Sequence, residues 1–274
     1  MPSLSQHQSN EFTKMLLEGD SGSGKTGALT SLVAAGYKLR ILDMDNGLET
    51  LKGYVLKECP ENIEAVEFRT LRDRYKSSPV GPVVDGQPKA FVDALKMLDR
   101  WKYDDVDLGS PSSWGSEVIV VLDSLTFLSD AAFSWAQGLN PSAKDPRQWY
   151  GTAQDAVEKV LALLTSPNFE TNVIVISHIK YMETPEGTKG YPTAVGSALS
   201  PVIPRYFNSV AMCRTNSRGE RRIQTATTGM VDLKNPKPFE MKKEYPLETG
   251  LADFFAVLRE PPKATEPKLK LRKV

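Results

Sequence analysis

The chain has 274 residues, 40% of them apolar, enough for one large buried core with a small appendage. Its 34 basic and 34 acidic side chains balance, so no global field draws it to nucleic acid or a membrane, and such contacts would have to be local patches. Cys59 and Cys213 are too few and too far apart for a disulfide framework or metal cluster, no apolar run reaches the length of a membrane span, and Met1 to Gln8 lacks the features of a secretion signal, so a soluble, cytoplasmic protein with reduced thiols is expected.

Met15-Leu16-Leu17 reads as a short buried strand. Directly behind it, Gly19-Asp20-Ser21-Gly22-Ser23-Gly24-Lys25-Thr26 completes the pattern G-x-x-x-x-G-K-[ST]. Ala28, Leu29, Leu32 and Val33 then recur at helical spacing until Gly36 closes the helix. This strand, loop and helix order is what a phosphate-binding loop needs. Glycines turn backbone N–H groups inward at the positive end of the following helix. Lys25 is expected to reach the β and γ phosphates of a nucleoside triphosphate, and the Thr26 hydroxyl to ligate Mg²⁺.

Further along, strands alternate with helices, which predicts a mostly parallel sheet covered on both faces. Lys38 to Asp43 reads as the second strand and Ile63 to Phe68 as the third. A Gly/Pro-rich loop fills about 71–88, and a helix is expected from Ala90 to Trp101. After a second loop, Asp104 to Gly115, the run Val118 to Leu122 suits a central parallel strand. Helices follow from Leu125 and from Arg147 to Leu164, with a loop around Asn140-Pro141 between them. Val173 to Ile176 is the next buried strand, and residues 182–204 are Gly/Pro-rich. A hairpin, Ser209–Arg214 with Arg221–Thr227, and a last helix near Leu251–Leu258 complete the pattern. The expected organisation is an N-terminal arm (1–13), one domain (14–258) and a basic tail (259–274) carrying Lys268, Lys270, Arg272 and Lys273.

The central strand ends in Asp123-Ser124. An aspartate closing such a run beside a P-loop is expected to orient Mg²⁺ or its waters. Many ATP-driven machines carry the water-activating glutamate at the following position, where this chain has Ser124. The base must then come from elsewhere. Strand alternation puts Asp43 and Asp45 on one side at the end of the second strand, where open α/β sheets form their ligand crevice.

These motifs together resemble the RecA-like ATPase core. The resemblance implies an α/β, RecA-like P-loop NTPase fold with a C-terminal β-hairpin extension, ATP and Mg²⁺ as ligands, and a catalytic carboxylate at Asp45, with Glu49 as its alternative. It also implies a γ-phosphate sensor at His178, where the family commonly has glutamine. Lys234, with Lys237 nearby, matches basic residues that reach across a subunit interface to a neighbour's γ-phosphate. Within the superfamily, compact size, Ser177-His178 and the run Gly190 to Val210 resemble the small phage-encoded ATPases that promote single-strand DNA annealing. That likeness implies a DNA-stimulated ATPase forming a homo-oligomeric ring or filament, working on single-stranded DNA in a host cytoplasm, with a single-strand-binding protein as a further partner.

DNA contact is expected from two loops that mix basic and aromatic side chains, suited to phosphate contact with sequence-tolerant stacking. The first, about 137–149, offers Lys144, Arg147 and Trp149, with Tyr150 beyond; the second offers Lys180, Tyr181, Lys189 and Tyr191. Two other readings fit the same P-loop. A small-molecule kinase would use Arg218, Arg221 and Arg222 on a lid, and an ATP-gated binding module would turn over little.

Overall fold

The computed structural model describes residues 11–260, except 186 and 228. In chain order the strands are β1 (Lys14–Gly19), β2 (Lys38–Asp43), β3 (Val66–Thr70), β4 (Tyr75–Lys76), β5 (Val83–Val84), β6 (Lys102–Tyr103), β7 (Val106–Asp107) and β8 (Gly115–Asp123). They continue with β9 (Thr171–Thr184), β10 (Gly187–Pro192), β11 (Ser209–Thr215), β12 (Arg221–Gln224) and β13 (Glu244–Pro246). The helices are α1 (Lys25–Ala28), α2 (Thr30–Ala34), α3 (Glu49–Glu58), α4 (Ala90–Asp99), α5 (Leu125–Leu139), α6 (Arg147–Thr165) and α7 (Leu247–Arg259).

One nine-stranded sheet organises the chain in the order β13-β12-β11-β1-β9-β8-β2-β3, with β10 paired to β9. From β11 to β3 every neighbouring pair is parallel, while β12 and β13 add an antiparallel edge. Strand alternation divides the core in two. Leu16, Val120, Leu122 and Val175 face α4, α5 and α6 on one side; Met15, Leu17, Val121 and Ile176 face α1, α2, α3 and α7 on the other. Both faces are covered, so the inner strands read as unbroken apolar runs. The mostly parallel sheet, two helical layers and hairpin extension are the RecA-like α/β architecture expected from the sequence. β9 separates the P-loop strand β1 from the Asp123 strand β8, and β1 and β8 end on the same edge, beside His178 and Ile176 of β9.

Some boundaries differ from the sequence expectation, each for a local reason. The third strand begins only at Val66, because Pro60 opens a 3-10 turn, Pro60–Ala65, that Asn62 Nδ2 ties to the Val33 carbonyl. The expected loop at 71–88 contains the short ribbon β4–β5, and the one at 104–115 contributes β7, which folds back on β6 just before it. α7 begins at Leu247 rather than Leu251, since Pro246 suits the position just before a helix and Leu247 packs into the core. The largest difference concerns β9, which does not stop at the buried run but continues to Thr184 and folds back as β10, so much of the Gly/Pro-rich stretch is a β-hairpin arm. Thr13 N–H donates to Asn172 Oδ1 at 2.9 Å, tying the first described residues to the sheet. Residues 1–10 of the expected arm and 261–274 of the expected tail, including Lys268, Lys270, Arg272 and Lys273, lie outside the described residues. Among the described residues, no helix is long and apolar enough to cross a membrane.

Candidate nucleotide site

The P-loop leaves β1 through Gly19, where a Cβ would sit 2.5 Å from both the Cys213 carbonyl oxygen and Ser23 Oγ, so only glycine fits. Gly22 and Gly24 take φ of 76° and 97°, left-handed values that let the loop coil and present its backbone to a ligand. Inside the coil, Lys25 Nζ donates to the carbonyls of Gly19 (2.8 Å) and Asp20 (2.9 Å), and burial lowers its pKa below the ordinary lysine range. Ser23 Oγ is buried with no hydrogen-bond partner.

Thr26, in the first turn of α1, donates through Oγ1 to Asp123 Oδ2 at 2.8 Å. Burial pushes Asp123 up to about 7, with the Asp45 and Asp43 carboxylates adding to the shift. A buried carboxylate with a hydroxyl at hydrogen-bond distance, beside further carboxylates and one lysine, is a set of hard oxygen donors short of positive charge. That donor set fits Mg²⁺, which takes few protein ligands and completes its shell with water and phosphate oxygens.

Asp43 and Asp45 divide their work. Asp43 is buried and accepts from Asn46 N–H (2.8 Å) and Gly47 N–H (3.3 Å) on Oδ1, and from Thr70 Oγ1 (2.7 Å) on Oδ2. It builds the turn. Asp45 stands on that turn with Oδ1 buried and without a partner, its pKa raised by burial and then by Asp43. The Asp45 carbonyl accepts from Arg72 Nη1 at 2.9 Å, and the Arg72 guanidinium lies 5.4 Å from the Phe127 ring. Glu49 opens α3 with its side chain 90% exposed, beside Lys52, away from these contacts.

His178 pairs in register with Gly19, which places it beside the P-loop. Its N–H donates to Thr126 Oγ1 (3.2 Å), whose hydroxyl in turn donates to the Thr193 carbonyl (3.4 Å). Burial and then the neighbouring Lys25 lower the imidazole pKa. Glu18, one residue before the loop, lies opposite Ser177 and Met212 in the sheet and is only 1% exposed. Its Oε2 has no partner, and burial raises its pKa to about 8.

The backbone of Lys234 lies beside β11, short of the P-loop end of the sheet. It pairs in both directions with the backbone of Val210, which aligns with Leu16, three residues short of Gly19 on β1. Lys237 is held elsewhere: its Nζ donates to the carbonyls of Val257 (2.7 Å) and Glu260, capping the end of α7.

The expected DNA-contact residues occupy two different settings. α5 runs to Leu139 and α6 starts at Arg147, so the first loop is only 140–146. Lys144 is exposed there, Arg147 Nε lies 2.9 Å from Asp145 Oδ2, and Trp149 Nε1 donates to the Asn140 carbonyl, closing the loop. Tyr150 packs on Phe133 with ring centroids 4.6 Å apart. Lys180, Tyr181, Lys189 and Tyr191 all stand on the β9–β10 arm, Tyr191 opposite Lys180 and Gly190 opposite Tyr181. Lys189 is engaged with Asp232, at 3.2 Å to each carboxylate oxygen.

Sequence reasoning did not find Arg72, Thr126 or the cavity of about 770 Å³ beside the P-loop helix, lined by Thr30, Tyr54, Arg221 and Leu247 among others. Arg221 Nη1 donates to the Tyr54 hydroxyl at 3.2 Å, and a Cβ on Gly27 would sit 3.0 Å from the Tyr54 ring. Thr126 had a usable signal, three residues after Asp123; Arg72 and Tyr54 had none, because their partners are distant in sequence.

A glycine-rich loop closed by Lys25, a Thr26–Asp123 pair and a carboxylate-bearing turn on one edge of a parallel sheet define a P-loop ATPase. The chain belongs to the AAA domain family, which matches residues 11–236. No curated protein matches it. Among solved structures it is similar to a prototypical ATPase from the type III secretion system of pathogenic bacteria, at 14% identity and a TM-score of 0.43, over 73% of this chain and 50% of that one. The chain thus spans about half the length of that ATPase.

Proposed function

We propose that this ATPase acts on single-stranded DNA as a homo-oligomer, in the manner of the phage annealing ATPases that its motifs resemble. The observation that carries the reading is the continuity of β9, which leaves His178 beside the P-loop and extends as an arm bearing Lys180 and Tyr181, with Lys189 and Tyr191 on the returning strand. Basic and aromatic groups side by side on a sheet arm suit phosphate contact and base stacking without sequence preference. Lys144, Arg147 and Trp149 form a second, weaker candidate surface, because two of the three are engaged within their own loop.

At the nucleotide, residues 19–26 cradle the phosphates, with Lys25 facing the β and γ groups, and the cavity at Tyr54 and Arg221 takes the base. Thr26 and Asp123 hold Mg²⁺, which when bound offsets phosphate charge. Asp45 accepts the proton of the attacking water. His178 donates to the γ-phosphate. Lys234 serves the site of a neighbouring copy as an arginine finger does. The unit doing this is the domain spanning about 14–258, at work in the cytoplasm of a host cell alongside a single-strand-binding protein.

The hairpin at Arg221–Arg222 weakens the kinase reading, since those arginines stand on a paired strand, β12, rather than a mobile lid. The deciding experiment measures ATP hydrolysis with no nucleic acid, with single-stranded DNA and with duplex DNA. A marked rise with single strands alone is expected; equal rates in all three would reject the DNA assignment and leave the ATPase intact.

A further inference from the structure

The cavity of about 770 Å³ beside α1 adjoins the P-loop directly. A Cβ on Gly24 would sit 2.8 Å from Leu247 Cδ2 and 3.0 Å from Arg221 Cδ, so both side chains lie against the loop residue that precedes Lys25. The Tyr54 ring lies against Gly27, and its hydroxyl accepts from Arg221 Nη1 at 3.2 Å. A flat group reaching in from the phosphates therefore meets an aromatic ring, a guanidinium and a leucine. All three surfaces bind a planar heterocycle by its faces, whichever groups it carries on its edge.

The polar groups of the cavity do not choose between edges. Among the described residues that line it, the buried ones are Gly27, Thr30, Ser31 and Leu247. Ser31 Oγ is occupied, donating to the Ala28 carbonyl at 3.0 Å and accepting from Ala252 N–H at 3.2 Å. Thr30 Oγ1 is buried without a partner. A hydroxyl donates or accepts as it rotates, so this one suits the amine of adenine and the carbonyl of guanine equally. Glu58, Glu220 and Glu248, whose carboxylates would favour the paired donors of guanine, are exposed. Two of them are already engaged, Glu58 with Lys57 at 2.8 Å and Glu220 with Arg222 at 2.9 Å. Rejection of a wrong substrate by about 10⁴ or more comes from buried polar groups that it leaves unpaired. The single unpaired group here fits either purine.

We propose that this site tolerates both purines and that the enzyme hydrolyses GTP as well as ATP. The inference deepens, and rests on, the reading of this cavity as the place of the base. Purines are favoured over pyrimidines because two fused rings cover more of Tyr54 and Leu247 than one. The reaction is the same for each nucleotide. Water adds to the γ-phosphorus and gives its proton to Asp45 as the bond to the β–γ bridging oxygen breaks, and nucleoside diphosphate and inorganic phosphate leave. The base takes no part in it, so tolerance is decided by binding.

The test uses the full chain with Mg²⁺ and follows displacement of a ribose-labelled fluorescent ATP analogue by ATP, GTP, CTP and UTP, with phosphate release from each measured alongside. ATP and GTP should compete within about tenfold of each other, CTP and UTP about tenfold more weakly, and GTP should release phosphate. Tyr54→Ala should weaken both purines about tenfold or more. Thr30→Val, which removes the hydroxyl at nearly constant shape and breaks no internal hydrogen bond, should keep thermal melting and weaken ATP and GTP by the same factor. GTP binding a hundredfold or more below ATP, where Tyr54→Ala still weakens ATP, overturns the tolerance and leaves the base site standing. A tenfold change in the ATP to GTP ratio on Thr30→Val does the same. GTP that binds without releasing phosphate, where ATP releases it, overturns the second activity. Affinities unmoved by Tyr54→Ala for all four nucleotides overturn the base site and the tolerance together.

Discussion

Thr26 and Asp123 meet at 2.8 Å across 97 residues of sequence, joining the first turn after the P-loop to the end of the central strand. β9 lies between their two strands, and the contact forms because β1 and β8 end within two residues of each other on the sheet edge. The P-loop, Thr26, Asp43, Asp45, Asp123 and His178 all stand on that edge or in the loops rising from it.

Lys25→Ala is expected to abolish productive nucleotide binding in a folded protein. It removes the charge inside the loop along with two hydrogen bonds that keep the loop coiled. Titration with a fluorescent ATP analogue, set beside a thermal melt, checks this; wild-type affinity in the folded variant would reject the P-loop assignment.

Asp45→Asn should keep ATP binding and lose roughly a hundredfold or more in turnover, the usual range for removing a general base. Glu49→Gln should change little, since its side chain is turned to solvent. A large effect of Glu49→Gln with a small one for Asp45→Asn would transfer the role.

Glu18 should make stability fall with pH. Its folded pKa, about 8, lies above the ordinary glutamate value, so the folded state holds the proton more tightly than the unfolded chain. That stabilisation is full below about pH 4 and is lost as pH rises through about 8. Glu18→Gln has no such loss, so its stability relative to wild type should climb between those limits, by a few kcal/mol in all at about 1.4 kcal/mol per pH unit. Urea melts of both proteins at pH 5, 7 and 9 measure it; a difference that does not vary with pH would show that Glu18 ionises freely.

Lys237 and Lys234 should separate cleanly. Lys237→Ala strips a cap from α7 and should lower stability by about 1 kcal/mol. Lys234→Ala should leave melting unchanged and remove turnover. Mixed with Lys25→Ala subunits, themselves inactive, it should regain partial activity, because one supplies the finger and the other the intact loop. No recovery in demonstrably mixed oligomers would count against a shared site.

On the hairpin arm, replacing Lys180 and Lys189 should flatten the salt dependence of single-stranded DNA binding, whereas Tyr181→Ala or Tyr191→Ala should lower affinity with the slope unchanged. Asp232→Asn should tighten binding, since it frees Lys189 from its carboxylate. Binding indifferent to all five changes would move the contact off the arm.

The P-loop, the Asp123 strand and the second strand were legible in the sequence because each is a local pattern, an apolar run with fixed residues directly behind it. The arm was not. Pro185, Gly187, Gly190 and Pro192 carry the composition of a loop, and only the pairing of β10 with the far half of β9 makes them a ribbon. Gly190 is there because Tyr181 and Val231 crowd it: a Cβ would lie 3.1 Å and 3.0 Å from their side chains. The distinction between Asp43 and Asp45 was equally hidden, since it depends on Thr70 and Arg72, which arrive from the next strand. Lys237 read as a partner of Lys234 until the end of α7 claimed it.

The Thr126 hydroxyl takes the His178 N–H and gives its own hydrogen toward the Thr193 carbonyl, at the root where β9 emerges and β10 returns. One small side chain on the first turn of α5 therefore ties the two strands of the arm together at their root. Beyond it β9 runs six more residues to Thr184, about 20 Å at strand spacing. The arm is held a second time where the Gly190 N–H donates to the Met230 carbonyl and Lys189 meets Asp232, so it projects as a ribbon braced at two points.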